Sequence, residues 1–198
     1  MRILGIDPGT ASTGWGIIEI DNAKLKNPEF KLIAYNVIKT EANSYMPKRL
    51  EKIYKEIKYL INRYKPHKMA LESLFFFKNQ RTVMSVSQSR GVVMLAAQRC
   101  NLDIIEQAPL QVKSSICQNG RADKKELQNS VKNILKLKEV PKPDDAADAL
   151  AGAICYAKNI MGIINVSKKS KIIKKNELLR SKLRSIPSGK FLSNHSSP

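Results

Sequence analysis

Arg2-Ile-Leu-Gly-Ile-Asp7-Pro8-Gly9-Thr10, followed by Thr13-Gly14-Trp15-Gly16-Ile17-Ile18, puts a carboxylate at the end of one apolar run and starts a second apolar run shortly after it. The pattern predicts a hairpin with Asp7 at its mouth. A strand of Ile and Leu is buried, so an acid at its end either marks where the strand leaves the core or is held there to bind something positive. Asp7 has company of its own kind. Glu72 closes another apolar stretch, Met69-Ala-Leu-Glu72, and Asp144, Asp145 and Asp148 open an Ala-rich segment far downstream.

Outward from the hairpin, Lys31-Leu-Ile-Ala-Tyr-Asn-Val-Ile-Lys39 reads as a third strand beyond a turn region from Asp21 to Pro28, which predicts an antiparallel meander. From Pro47 the period changes: Leu50, Ile53, Tyr54, Ile57, Ile61 and Tyr64 recur at steps of three and four, an amphipathic helix started by the proline. Met69 to Glu72 returns to strand. Gln80 to Cys100 reads as a long helix interrupted at Gly91, and Asp103 to Glu106 as a further short strand. A short helix from Pro109 to about Cys117, a turn at Gln118-Asn119-Gly120, a helix from Asp123 to Leu137, a break at Pro141-Lys-Pro143 and a helix to about Met161 complete the pattern. Alternating strands and helices imply parallel pairing, so the expected fold is α/β: a mixed sheet, an antiparallel three-strand meander plus parallel strands, flanked by helices.

The 198 residues, 42% of them hydrophobic, suffice for one sizeable core. Lys and Arg number 35 against 17 Asp and Glu, a formal net charge of +18 that favours polyanionic partners, nucleic acid before membrane. No apolar run reaches the length of a membrane span, and the amino terminus enters a strand at once, so the expected compartment is the cytoplasm. Cys100, Cys117 and Cys155 lack paired metal-type spacing, which argues against zinc and against a disulfide framework. Residues 167–198 differ in kind, with nine Lys or Arg and one acid, Glu177. The expected organisation is a folded domain over 1–163 and a solvated, disordered basic tail over 167–198.

Asp145 and Asp148, three apart on a helix, share one face among small alanines. A helix amino terminus favours anions, and a simple cap accounts for one acid, Asp144, but not for all three. With Asp7 and Glu72 from strand ends, four carboxylates can converge, a set of hard oxygen ligands suited to Mg²⁺ or Mn²⁺. Two such ions about 4 Å apart suit phosphodiester cleavage.

Gly5-Ile-Asp7-Pro8-Gly9-Thr10 with Thr13-Gly14-Trp15-Gly16, then Glu72-Ser-Leu-Phe75 with Lys78-Asn79, and Asp145-Ala-Ala-Asp148-Ala149-Leu150 resemble the bacterial RuvC Holliday-junction resolvases, in order, from residue 2 to about 160. The resemblance implies an RNase H-like fold and a Mg²⁺-dependent endonuclease, with two ions per site and Mn²⁺ able to substitute. It also implies a homodimer that cuts four-way DNA junctions at two symmetric points in recombination and repair, leaving ligatable nicks, and that works with RuvA and RuvB. By motif matching the catalytic and metal-holding acids are Asp7, Glu72, Asp145 and Asp148, with Asp144 outside the set. Phe75 matches an aromatic that stacks at the junction centre, and its place after a strand end, bounded by Lys78-Asn79-Gln80-Arg81, suits a loop. Lys113 and Lys124, eleven residues apart with Gly120 between them, match family lysines near the scissile phosphate. One departure is Gln118, where the family commonly has glycine. His67 and His195 have no acid partner in sequence and are discounted as catalytic.

Two other classes fit parts of the sequence. An actin-like or Hsp70-like ATPase also begins with Gly-Ile-Asp-x-Gly-Thr and a hairpin, but needs a second phosphate hairpin, and nothing after residue 100 repeats Gly-x-Asp-x-Gly. A non-catalytic nucleic-acid-binding protein needs only the +18 charge, yet is penalised for acids held beside a phosphate backbone.

Overall fold

Alternate residues of β1 (Arg2–Asp7) face opposite sides of a sheet, and both sides are covered: Ile3 joins one core layer, Leu4 and Ile6 the other. The computed structural model describes residues 1–21, 29–73, 80–160 and 162, with only the backbone described for 80–82. β1 pairs antiparallel with β2 (Ser12–Ile20), which pairs antiparallel with β3 (Phe30–Lys39). On its other side β1 pairs in parallel with β4 (Lys68–Glu72), and β4 in parallel with β5 (Ile104–Gln107). The order β3-β2-β1-β4-β5 makes the mixed sheet expected from the sequence.

Helix α1 (Met46–Tyr64) buries Ile53, Ile57, Leu60 and Ile61 on one face of the sheet, beside α2 (Gln80–Arg99). The opposite face carries α5 (Asp144–Ile160), supported by α3 (Pro109–Cys117) and α4 (Lys124–Ile134). All described residues fall in one unit, Met1–Ile164, and none of its described helices is long and apolar enough to cross a membrane. The expected basic tail, 167–198, lies outside the described residues.

Two expectations need correction. Helix α2 runs through Gly91 without interruption; the glycine is exposed, and burying Val93, Ala96 and Ala97 outweighs its ~1 kcal/mol penalty. Helix α4 begins after Asp123, whose side chain accepts from the Glu126 N–H at 2.7 Å, but ends at Ile134 and not at Leu137. Lys136 takes a left-handed φ of 54°, which turns the chain while Leu135 stays in the core.

Gln118 caps α3 at φ 57°, a left-handed conformation that glycine adopts without strain. Because Gln118 is exposed and pays the Cβ penalty, Gln118→Gly should stabilise the fold by up to about 1 kcal/mol, read as a higher urea midpoint. A lower midpoint would show the glutamine side chain to be holding the turn.

Candidate active site

β1 and β4 end side by side. Ile6 is level with Leu71 in their parallel register, so the next residues, Asp7 and Glu72, sit together at the strand ends. The four-residue connection from Asp7 to Ser12 is tied down on both sides. Thr13 Oγ1 donates to the Gly9 carbonyl at 2.6 Å, and Thr10 Oγ1 donates to the Ser85 carbonyl of α2 at 2.6 Å. The Glu72 carbonyl accepts from Arg90 Nε at 3.4 Å, and Arg90, largely buried, pairs with Glu106 of β5 at 2.6 Å. Backbone pairing and these bonds therefore set the height of both strand-end acids.

The other two acids arrive on α5, and glycine brings that helix to the sheet. A Cβ on Gly14, the register partner of Asp7, would collide with the Asp145 carbonyl oxygen; one on Gly5 would collide with that of Ala149; one on Gly16 would lie 2.5 Å from Leu150 Cδ2. Ala146, Ala147, Ala149 and Ala153 are fully buried beneath the helix, so backbone packs nearly on backbone. That approach carries Asp145 and Asp148 over the end of β1. The packing role of these glycines goes beyond their place in the motif, and its signal in the sequence is a pair of glycines two apart on a strand, Gly14 and Gly16, together with an Ala-rich helix.

Burial dominates the electrostatics. The Asp7 carboxyl is pushed well above the ordinary aspartate range, first by loss of water, then by the charges of Glu72, Asp148 and Asp145; Lys124 opposes this. Glu72 is pushed up to about 7, again first by burial, then by Asp148, with Lys113 and Lys124 pulling it down. Burial raises Asp148 as well, with Asp145 and Asp144 adding to the rise and Lys124 and Lys113 opposing it. Four acids, one mutual field and two lysines thus share a site.

These shifts carry a sign. An unfolded chain releases carboxyl protons at about pH 4, whereas folded Glu72 keeps its proton to about pH 7, so in that window the folded protein binds more protons than the unfolded one. In metal-free protein the stability contribution of this group should therefore fall as pH rises from about 4 to 7, by on the order of 2–3 kcal/mol. Urea unfolding in EDTA at a series of pH values should show this decline, and Glu72→Gln should flatten it. An unchanged slope in that variant would mean Glu72 titrates as a solvated acid.

The remaining predicted positions sort clearly. Lys113 on α3 donates to the Ala122 carbonyl at 2.6 Å, which holds its ammonium near the acids. Lys124, the first residue of α4, is exposed and within ionic reach of Asp144 at 3.9 Å. Asp144 is exposed too and accepts from Gln128 Nε2 at 2.7 Å, so it is turned toward α4 and away from the other acids' strand ends. His67 Nδ1 accepts from the Arg2 N–H at 3.1 Å, a structural contact. Phe75 and its neighbours Phe76, Phe77, Lys78 and Asn79 lie outside the described residues, as does His195.

Half-buried carboxylates that raise one another's proton affinity are a donor set suited to a hard divalent cation, which would remove their repulsion. Among the described residues, no group of three or more His, Cys, Asp or Glu side chains is gathered closely enough to hold one ion.

A family model described as "Crossover junction endodeoxyribonuclease RuvC" matches residues 3–156. The crossover junction endodeoxyribonuclease RuvC of Desulfitobacterium hafniense (strain DSM 10664 / DCB-2) is 49% identical over 160 residues, which cover 81% of this chain and 94% of that protein. Among solved structures, that of Thermus thermophilus RuvC matches with a TM-score of 0.74 at 31% identity, covering 82% of this chain and 97% of the other. T. thermophilus RuvC in complex with a Holliday junction substrate matches with a TM-score of 0.72 at 29% identity and the same coverage.

Proposed function

The chain belongs to the RuvC family of crossover junction endodeoxyribonucleases, and we propose that Asp7, Glu72, Asp145 and Asp148 are the acids with which it cuts DNA. It is a metal-dependent nuclease that acts on phosphodiester bonds and resolves Holliday junctions in recombination and repair. The observation that carries the assignment is geometric: Asp7 and Glu72 stand at adjacent strand ends, and Gly14, the register partner of Asp7, lets the backbone of Asp145 lie directly against it, so four half-buried carboxylates gather at one end of the sheet. A protein that only bound DNA would gain nothing from acids placed against phosphate.

The acids would hold Mg²⁺, two ions per site, with Mn²⁺ able to substitute. Such ions supply Lewis-acid polarisation of the phosphodiester and of the attacking water. The chain's own residues do the rest. Asp7 and Glu72 present carboxylates from a rigid strand pair, and Asp145 and Asp148 present theirs from one face of α5. Lys113 and Lys124, whose charges already reach Glu72 and Asp148, offset negative charge that builds on the phosphate during cleavage. Phe75 is proposed to stack on bases at the crossover, and the basic stretch 167–198 to add phosphate contacts of no particular shape.

Two symmetric cuts call for two active sites, and the proposed assembly is a homodimer. Support comes from α2, where Met84 is 72% and Leu95 53% exposed and nothing among the described residues lies within 4 Å of a Cβ placed on Gly91. These lie at steps of seven and four, a stripe against which a second copy of the helix can pack. RuvA and RuvB are the proposed partners, and the cytoplasm the proposed compartment, on family membership.

The test is cleavage of a mobile four-way junction, a fixed junction and a linear duplex of equal length, each with Mg²⁺, with Mn²⁺ and with EDTA. Junctions should be cut at paired, opposed positions in either metal, with no product in EDTA and little from duplex. Equal cutting of duplex, or cutting in EDTA, would overturn the reading.

A further inference from the structure

The pleat that turns Gly14 and Gly16 toward α5 turns Trp15 to the opposite side, where it meets α1. There a groove of about 560 Å³ runs between α1 and the outer strand β3. Its floor is aromatic: Trp15 and Tyr64 have ring centroids 6.1 Å apart at a 41° tilt, and Tyr59 is 52% exposed beside them. Arg63 lies over the rings of both tyrosines, 5.9 Å from that of Tyr59 and 5.5 Å from that of Tyr64. Lys39 and Lys52 complete a basic rim that includes one acid, Glu56.

The other wall is the edge of the sheet. Among the described residues β3 is the last strand on its side, and the groove follows its residues 36–39. The Val37 N–H is met by the neighbouring Asn36 side chain at 2.8 Å, a local bond that a carbonyl from an incoming strand can replace. Backbone groups at strand spacing, an aromatic floor and a basic rim together define the complement of an extended polypeptide.

We propose that this groove docks an extended acidic peptide segment of a partner protein. The segment lies along β3, inserts one large apolar side chain between Trp15, Tyr59 and Tyr64, and pairs its carboxylates with Lys39, Lys52 and Arg63. Duplex DNA is the poorer fit, because its bases are stacked and paired and leave nothing to enter the aromatic floor. The chain's own segment 167–198, with nine cations and one acid, has the wrong sign. The groove and the cutting acids lie on opposite faces of the sheet, so both can be occupied at once.

Trp15 is the chain's single tryptophan, so its emission reports on this groove. The probe is a fluorescein-labelled ten-residue Asp/Glu peptide with one central phenylalanine, compared with the same peptide carrying serine there and with a ten-nucleotide single strand. With full-length protein, the phenylalanine peptide should shift Trp15 emission and bind at least about tenfold more tightly than the serine peptide. Arg63→Glu and Lys52→Glu should each weaken it by a similar factor while junction cleavage stays unchanged. Lys138→Glu, an exposed residue away from the groove, makes the same charge change and should have little effect. Equal weakening by Lys138→Glu would reduce the binding to net charge and overturn the proposal. So would an oligonucleotide that shifts Trp15 and displaces the peptide, or a Trp15 shift that depends on protein concentration alone, the mark of a second copy in the groove.

Discussion

Replacing Asp7, Glu72, Asp145 or Asp148 singly by its amide should abolish junction cleavage, by at least roughly 10²–10³-fold, the scale of losing one preorganised electrostatic contact to a transition state. Each change removes a charge and almost no volume, so the fold should persist. Junction binding should persist as well or tighten, because a buried negative charge facing phosphate is gone. Loss at Asp7, with its large burial and three acidic neighbours, should be the deepest. Asp144→Asn should cut nearly normally, since Asp144 is exposed and engaged with Gln128 and Lys124 of α4. Single-turnover cleavage beside a gel-shift measurement separates the two effects. If the four amide variants lost binding, or if Asp144→Asn were dead while Asp145→Asn cut, the acids would have been assigned wrongly.

Gly14→Val should be nearly as damaging to cleavage, without touching any acid. The new side chain meets the backbone of Asp145 and Ala146, neither of which can swing aside as a flexible side chain does. Overpacking of this kind costs about 1–3 kcal/mol. The larger effect is geometric, because α5 must rise from the sheet and carry Asp145 and Asp148 away from Asp7. A displacement near 1 Å at a catalytic group costs about 10²-fold in rate. The expected result is a folded protein with a lowered urea midpoint, near-normal junction affinity and severely reduced cleavage. Lys138→Val is the matched control: it adds the same side chain at an exposed position outside the site, where surface substitutions change stability by less than about 0.5 kcal/mol. Normal cleavage by Gly14→Val would mean that the spacing between helix and strand is not what aligns the acids.

Much of this was readable along the chain because it rests on local pattern. Apolar runs ending in acids located β1 and β4, steps of three and four located α1, and an Ala-rich run after a proline break located α5, since each pattern lies within a few residues of the chain. Helix α2 was misread at Gly91 because a glycine penalty of ~1 kcal/mol is visible in sequence, whereas the buried Val93, Ala96 and Ala97 that outweigh it depend on tertiary contact. The end of α4 was misread for a related reason. Leu135 and Leu137 continue an apolar period, and only the packed structure reveals that they fill the core from a turn.

The site divides along the same line. Which residues carry charge, that Asp145 and Asp148 share a helix face, and that Asp7 and Glu72 stand at strand ends are all written locally in the chain, because each depends on neighbours a few residues away. The sequence also carried the resemblance that named the four acids. Packing in three dimensions sets the rest: β1 and β4 are adjacent and parallel, Gly5, Gly14 and Gly16 admit α5 to the sheet, and Asp144 turns toward α4 while Asp148 stays with the cluster. Burial was decided there too, and with it the rise of Glu72 to about 7. Removing water and bringing like charges together are properties of groups remote in sequence, so no local reading of the chain contains them.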